Sequence, residues 1–130
     1  MWRILYVEDS RDSLDLLSFV LNEANEDFVV EGASSAGEAM EMISSAPFDL
    51  YILDRHMPDR DGAELCRWIR QAGHSSPIVF YSGAVRDADK AEAFDAGADH
   101  YLIKPTDLFR IQEVVRELLQ DSRTTVSARS

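Results

Sequence analysis

The chain has 130 residues, 45% hydrophobic and 28% charged, enough for one buried core and too short for two domains. A formal net charge of −11 sets it against nucleic acid and anionic membrane and argues against direct DNA binding. One cysteine, Cys66, excludes an internal disulfide or a cysteine-built zinc cluster and points to a reducing cytoplasm, and no apolar run is of membrane-spanning or secretory-signal type.

Residues 3–7 are nearly continuous in apolar character and predict a first strand buried on both faces, as in a parallel sheet. Leu14, Leu17, Leu21 and Ala24 then recur at helical spacing with acids between them. A second strand is expected over 28–31, and a second helix over 36–45 carries Ala39, Met40 and Ile43. A third strand over 50–53 leads to a helix over 63–71 with Leu65, Trp68 and Ile69 on its apolar side and Gly73 as its stop. Cys66 lies in that helix and reads as packing. A fourth strand is expected over 78–81, and the alanine-rich segment 87–94 predicts a helix ending near Gly97, with Asp87 and Asp89 at its cap or surface. A fifth strand over 101–103 precedes a helix whose stripe is Leu108, Ile111, Val115 and Leu118. Residues 1–121 form the domain, and the polar stretch 122–130 reads as a tail or the start of a truncated linker.

Strand and helix alternate five times, which calls for right-handed crossovers and an α/β fold with helices on both faces of a five-stranded parallel sheet. Ligands in such sheets sit at the carboxyl ends of the strands. Those ends carry Glu8 and Asp9 after the first strand, Asp54 after the third, Ser82 with Gly83 and Ala84 after the fourth, and Lys104 with Pro105 after the fifth. The carboxylates need a positive partner or raised pKa values. Magnesium suits an all-oxygen set and keeps several waters. Asp9 and Asp54 can each give it an oxygen, Glu8 can hold a bound water, and the backbone carbonyl of His56 can add another ligand. A carboxylate can also attack phosphorus to give an aspartyl phosphate. Lys104, the Ser82 hydroxyl and backbone N–H groups near Gly83 and Ala84 suit the charge spread over a phosphoryl group's oxygens.

These residues resemble the receiver domains of bacterial response regulators over nearly the whole chain. The resemblance is carried by Glu8-Asp9, by the run Asp54-Arg55-His56-Met57-Pro58-Asp59-Arg60-Asp61-Gly62, by Ser82-Gly83-Ala84 and by Lys104-Pro105, with Ala96-Gly97-Ala98 and Tyr101 ahead of the last pair. It implies a doubly wound, flavodoxin-like (βα)5 three-layer sandwich with strand order 2-1-3-4-5. It implies a cytoplasmic signalling switch rather than an enzyme, assisting only its own phosphorylation and dephosphorylation. Asp54 accepts the phosphoryl group from a histidine kinase or a histidine phosphotransfer protein, and Glu8, Asp9, Asp54 and the His56 carbonyl serve magnesium, with manganese as a substitute. Ser82, Lys104, Gly83 and Ala84 hold the phosphoryl oxygens, and Lys104–Pro105 is a cis bond. Ser82 and Tyr101 then move as a switch that alters the surface of the fourth helix, fifth strand and fifth helix. That surface controls a downstream protein or an output domain missing here, or supports a homodimer.

Three positions depart from the family pattern. Arg55 stands where an aliphatic residue is more usual and is expected at the surface. His56 is expected to face the incoming phosphoryl group, and Tyr81 is unusually bulky. A pseudo-receiver would lack an acceptor, metal or lysine residue, and none is lost. A haloacid-dehalogenase-type phosphatase would need an Asp where His56 stands, and a flavodoxin would hold phosphate on a Ser-, Thr- and Gly-rich first loop that Glu8-Asp9 replaces. His74 and His100 have no Cys or His at metal spacing and read as structural or exposed.

Overall fold

The computed structural model describes residues 1–121, and the expected tail at 122–130 lies outside the described residues. Five strands, β1 (Trp2–Val7), β2 (Phe28–Ala33), β3 (Leu50–Leu53), β4 (Ile78–Ser82) and β5 (His100–Ile103), alternate with α1 (Arg11–Ala24), α2 (Ala36–Ser45), α3 (Gly62–Gln71), α4 (Asp87–Ala96) and α5 (Arg110–Arg116). All strand pairs are parallel and the order is β2-β1-β3-β4-β5, as the resemblance implied.

The side-chain alternation of β1 explains the layers. Leu5 and Val7 point into a cluster with Ala36, Ala39 and Ile43 of α2 and Leu65, Cys66 and Ile69 of α3. Ile4 and Tyr6 point the other way, onto Leu17, Val20 and Leu21 of α1 and Ile111, Val114 and Val115 of α5. A strand covered on both faces has no solvent side, so β1, β3 and β4 read as unbroken apolar runs. Each fully buried Leu or Ile contributes about 2 kcal/mol through area removed from water. Cys66 is part of this packing, and burial pushes its thiol up to about 11. No helix among the described residues is long and apolar enough to cross a membrane.

Caps set the helix starts. Ser10, Ser35 and Asp61 accept N–H bonds from Ser13, Glu38 and Ala63 at the heads of α1, α2 and α3. Asp89 in the first turn of α4 accepts the N–H of Arg86 at 3.1 Å. Gly97, with φ +116°, caps the C-terminus of α4, where the sequence places its end. The last helix also differs from expectation. Lys104–Phe109 form turns, so Leu108 lies ahead of the helix. A wider π-helical turn, Glu117–Asp121, closes it and rotates the apolar stripe, burying Leu119 and leaving Leu118 half-buried.

Candidate functional site

Parallel register brings the strand ends to one rim. Val7 pairs with Leu53, Leu53 with Phe80, and Ser82 with Ile103, so Glu8, Asp54 and Lys104 each follow directly on a paired residue. Asp54 is only 8% exposed. Its Oδ1 accepts the Ser82 hydroxyl at 2.7 Å and the His56 backbone N–H at 3.1 Å, and its Oδ2 accepts the Lys104 ammonium at 2.7 Å. The same ammonium donates to Glu8. Glu8 also accepts the Tyr6 hydroxyl at 3.2 Å and the Ser10 N–H at 3.1 Å. The Lys104–Pro105 bond is cis, and the Lys104 N–H is anchored on the Ser82 carbonyl at 2.9 Å.

Electrostatics follow from this packing. Burial alone lowers the pKa of the Lys104 ammonium, but hydrogen bonds and charge from Asp54 and Glu8 reverse that and hold it above the ordinary lysine value. The face of the Tyr81 ring lies 5.7 Å from Lys104 Nζ, which gives the bulky residue a role beside the cation. Burial, then the Glu8 carboxylate, push the Tyr6 phenol well above its usual range, so it remains a donor to Glu8.

The other expected site residues divide. Asp9 is exposed beside a pocket of about 320 Å³ shared with Glu8, Ser34 and Glu38, and makes no hydrogen bond or ion pair among the described residues. Among the described residues no three His, Cys, Asp or Glu side chains form a metal-holding group. Lys104, not a third carboxylate, stands between Glu8 and Asp54. The His56 side chain is exposed. Gly83 is exposed, whereas Ala84 is buried and its N–H is taken by the Ser82 hydroxyl at 3.2 Å. Tyr101 is half-buried, with its ring stacked on Phe80 at 5.7 Å and its hydroxyl donating to the Ala84 carbonyl at 2.6 Å.

Arg55 corrects a sequence expectation. It is 5% exposed rather than on the surface. Nε and one terminal nitrogen grip the two oxygens of Asp61, each at 2.8 Å, and the guanidinium also reaches Glu92 at 3.1 Å and the Asp89 carbonyl. A buried arginine is tolerable because its planar fork is satisfied on several sides. Hydrogen bonds from Arg55 hold the Asp61 carboxyl below its ordinary range, against the opposing effect of burial. A carboxyl with a depressed folded pKa stabilises the fold above its unfolded pKa and loses that contribution as pH falls through the folded value. Asp61→Asn is therefore expected to lower the urea midpoint near neutrality, with the gap to wild type closing below the ordinary Asp value of 3.8. A gap that stays constant down to strong acid would contradict the ion-pair account.

The acceptor loop is held on its other side by Asp59, whose oxygens accept the N–H groups of Ala36 and Gly37 at 3.0 and 2.9 Å at the start of α2. These two backbone bonds, Gly37's first, depress the Asp59 pKa. Gly62 closes the loop by donating to the Arg55 carbonyl at 2.9 Å. A Cβ at Gly62 would collide with the Asp54 backbone carbonyl. Gly62→Ala is accordingly expected to cost about 2 kcal/mol in chemical unfolding, as backbone overpacking does. A neutral result would show that the loop has room to yield.

The roles of Tyr6, Asp59 and buried Arg55 were not read from sequence. The Arg55–Asp61 spacing of six residues was visible, but Glu92 lies 37 positions away and Asp59 meets α2 across 22 and 23 positions, so no local pattern signals them.

The doubly wound sheet thus gathers a buried carboxylate, a hydroxyl and a lysine at one rim. The sequence model for the response regulator receiver domain matches residues 4–116. The chain is 34% identical over 120 residues to response regulator ArlR of Staphylococcus epidermidis, covering 92% of this chain and 53% of ArlR. A CheY-like response regulator receiver domain protein from Methanospirillum hungatei superposes with a TM-score of 0.86 at 28% identity, covering 96% of this chain and 98% of that one. The BeF3-activated N-terminal receiver domain of RstA from Klebsiella pneumoniae gives a TM-score of 0.82 at 28% identity, covering 91% and 98%. The chain belongs to the response regulator receiver family, whose general function is that of a phosphoryl-accepting switch in two-component signalling. It spans about half the length of the curated relatives it matches.

Proposed function

We propose that Asp54 is the phosphoryl acceptor of this chain, within a receiver unit spanning residues 1–121. The reading is carried by the Asp54 carboxylate, which meets the Ser82 hydroxyl and the Lys104 ammonium at 2.7 Å each. An Asp54 oxygen attacks the phosphorus of a phosphohistidine on a histidine kinase or phosphotransfer protein. The phosphorus–nitrogen bond breaks, its electron pair leaves with the imidazole, and the imidazole takes up a proton. Lys104 and Ser82, already on the carboxylate, are placed to follow onto the phosphoryl oxygens, with backbone N–H groups around Gly83 and Ala84 beside them.

A divalent cation, magnesium with manganese as a substitute, would supply positive charge against the carboxylates and the incoming phosphoryl group. Asp9 and Asp54 would each give an oxygen, Glu8 would act through a bound water, and the His56 carbonyl would complete the protein's share. The donors fit, because magnesium is usually bound through one or two carboxylates plus substrate phosphates rather than in an all-protein cage. Asp9, exposed and unpaired among the described residues, is the carboxylate most available to such an ion.

Ser82 and Tyr101 form the switch. Both contact the loop after β4, so displacement of Ser82 toward a phosphoryl group changes the space and hydrogen bonds available to Tyr101. The altered α4, β5 and α5 surface acts on a downstream protein or an output domain, or supports a homodimer, in the cytoplasm. The unit assists only its own phosphorylation and hydrolysis and turns over no separate substrate. Incubation with acetyl phosphate and magnesium, read by intact mass, is expected to add one phosphoryl group, and a chelator is expected to prevent it. Failure to take up the group in magnesium, or uptake without any divalent ion, would overturn this reading.

A further inference from the structure

We propose that Arg55 is the positioning residue that couples the acceptor to α4, since its backbone lies in the Asp54–Ser82 network while its guanidinium grips the first turns of that helix. The proposal rests on the receiver reading above and names how that same site would pass its state onward. On one side, the Arg55 N–H donates to the Ser82 hydroxyl at 3.4 Å, and that hydroxyl donates to Asp54 Oδ1 at 2.7 Å. On the other, the guanidinium donates to the Asp89 carbonyl and to Glu92, while Asp61 fixes its plane by two parallel bonds. A single residue thus spans from the acceptor's hydrogen bonds to a different helix.

The attachment of α4 makes this link consequential. The helix buries Ala93 and Ala96, both in its second half, and leaves Phe94 48% exposed. Residues 87–92 carry no buried apolar side chain, and Arg55 reaches them instead. Asp89 and Glu92 are three residues apart and present one face to the cation. An aliphatic residue at this position would hold α4 by contact area alone and would be indifferent to charge. A guanidinium is held by directional, charge-assisted bonds, and new negative charge on the neighbouring Asp54 alters the balance of acids competing for it. Movement of Ser82 toward a phosphoryl group also removes the acceptor of the Arg55 N–H.

Hydrogen–deuterium exchange of peptides covering 87–96, with and without acetyl phosphate and magnesium, tests the coupling. Glu92 is outside the acceptor site, so Glu92→Ala is expected to leave uptake of one phosphoryl group unchanged by intact mass. It is expected to raise exchange of 87–96 in the unmodified protein about fivefold, the scale of losing a partly exposed ion pair. It is also expected to shrink the phosphorylation-linked change in that exchange by at least half, with Glu92→Gln intermediate because its amide oxygen still accepts. Arg55→Met is expected to go further in the same direction. The proposal is overturned if Glu92→Ala and Arg55→Met leave both the exchange of 87–96 and its response to phosphorylation as in wild type. It is equally overturned if exchange rises as much in α1 as in α4, which would mark general loosening. Absence of any phosphoryl group on the wild-type chain would sink the receiver reading and the coupling together, while α4 exchange in unmodified Glu92→Ala would still decide whether the clamp exists.

Discussion

Asp54→Asn is expected to abolish phosphoryl uptake from acetyl phosphate while leaving the fold intact. Asparagine keeps the shape of aspartate and an oxygen able to accept from Ser82 and from the His56 N–H, so the loop stays bonded. It lacks the anionic oxygen that attacks phosphorus, and an amide is a far poorer nucleophile. Intact mass should show one added phosphoryl group on wild type and none on the variant. Circular dichroism and the urea transition should show that the sheet persists. A variant that gains the group at the wild-type rate would place the acceptor elsewhere. The exposed acids Asp9 and Asp59 are then the neighbours to map by fragmentation.

Lys104→Ala is expected to give the larger loss of stability. The Glu8 and Asp54 side chains are 6% and 12% exposed and share one ammonium that is itself 23% exposed. Removing it leaves two enclosed carboxylates facing each other without a counter-charge, and breaking such a pair on one side costs about 3 kcal/mol. With the cation gone, mutual repulsion and lost solvation act unopposed on this enclosed acid pair. Magnesium is expected to recover part of the loss by supplying the missing positive charge. In wild type the same pairing shows at the alkaline end. Its Lys104 pKa is raised, so that stabilisation is complete below the ordinary lysine value of 10.5 and is lost as pH rises through the higher folded value. Urea midpoints across this range, with and without magnesium, check each part, and a variant as stable as wild type at neutrality would refute the counter-charge account. The variant should still bind a divalent ion, but should no longer relay phosphorylation into altered exchange of α4.

Much of the architecture was legible in the order of residues. Unbroken apolar runs such as Leu50–Leu53 announce strands covered on both sides, because no alternation is needed where neither face meets water. Helical spacing in Leu17 and Leu21, and the Gly97 stop, mark the intervening helices. Once the elements alternate, chirality and sheet rules place Glu8, Asp54, Ser82 and Lys104 on one rim, so the site's membership follows from local pattern plus general topology. The misplaced elements are those whose boundaries depend on neighbours. The last helix starts two residues after Leu108, and its closing π-helical turn exchanges Leu118 for Leu119 in the core.

The sequence by itself determined the alternation of strands and helices and the identity of the groups at the strand ends, because both are written in residues close along the chain. Only the tertiary structure decided how those groups neutralise one another. Lys104 bonds acids 96 and 50 positions away, and Arg55 leaves the surface for the carboxylate capping α3 and one on α4. Charge pairing depends on distance in space and on exclusion of water, and neither quantity is encoded in the spacing of residues along the chain.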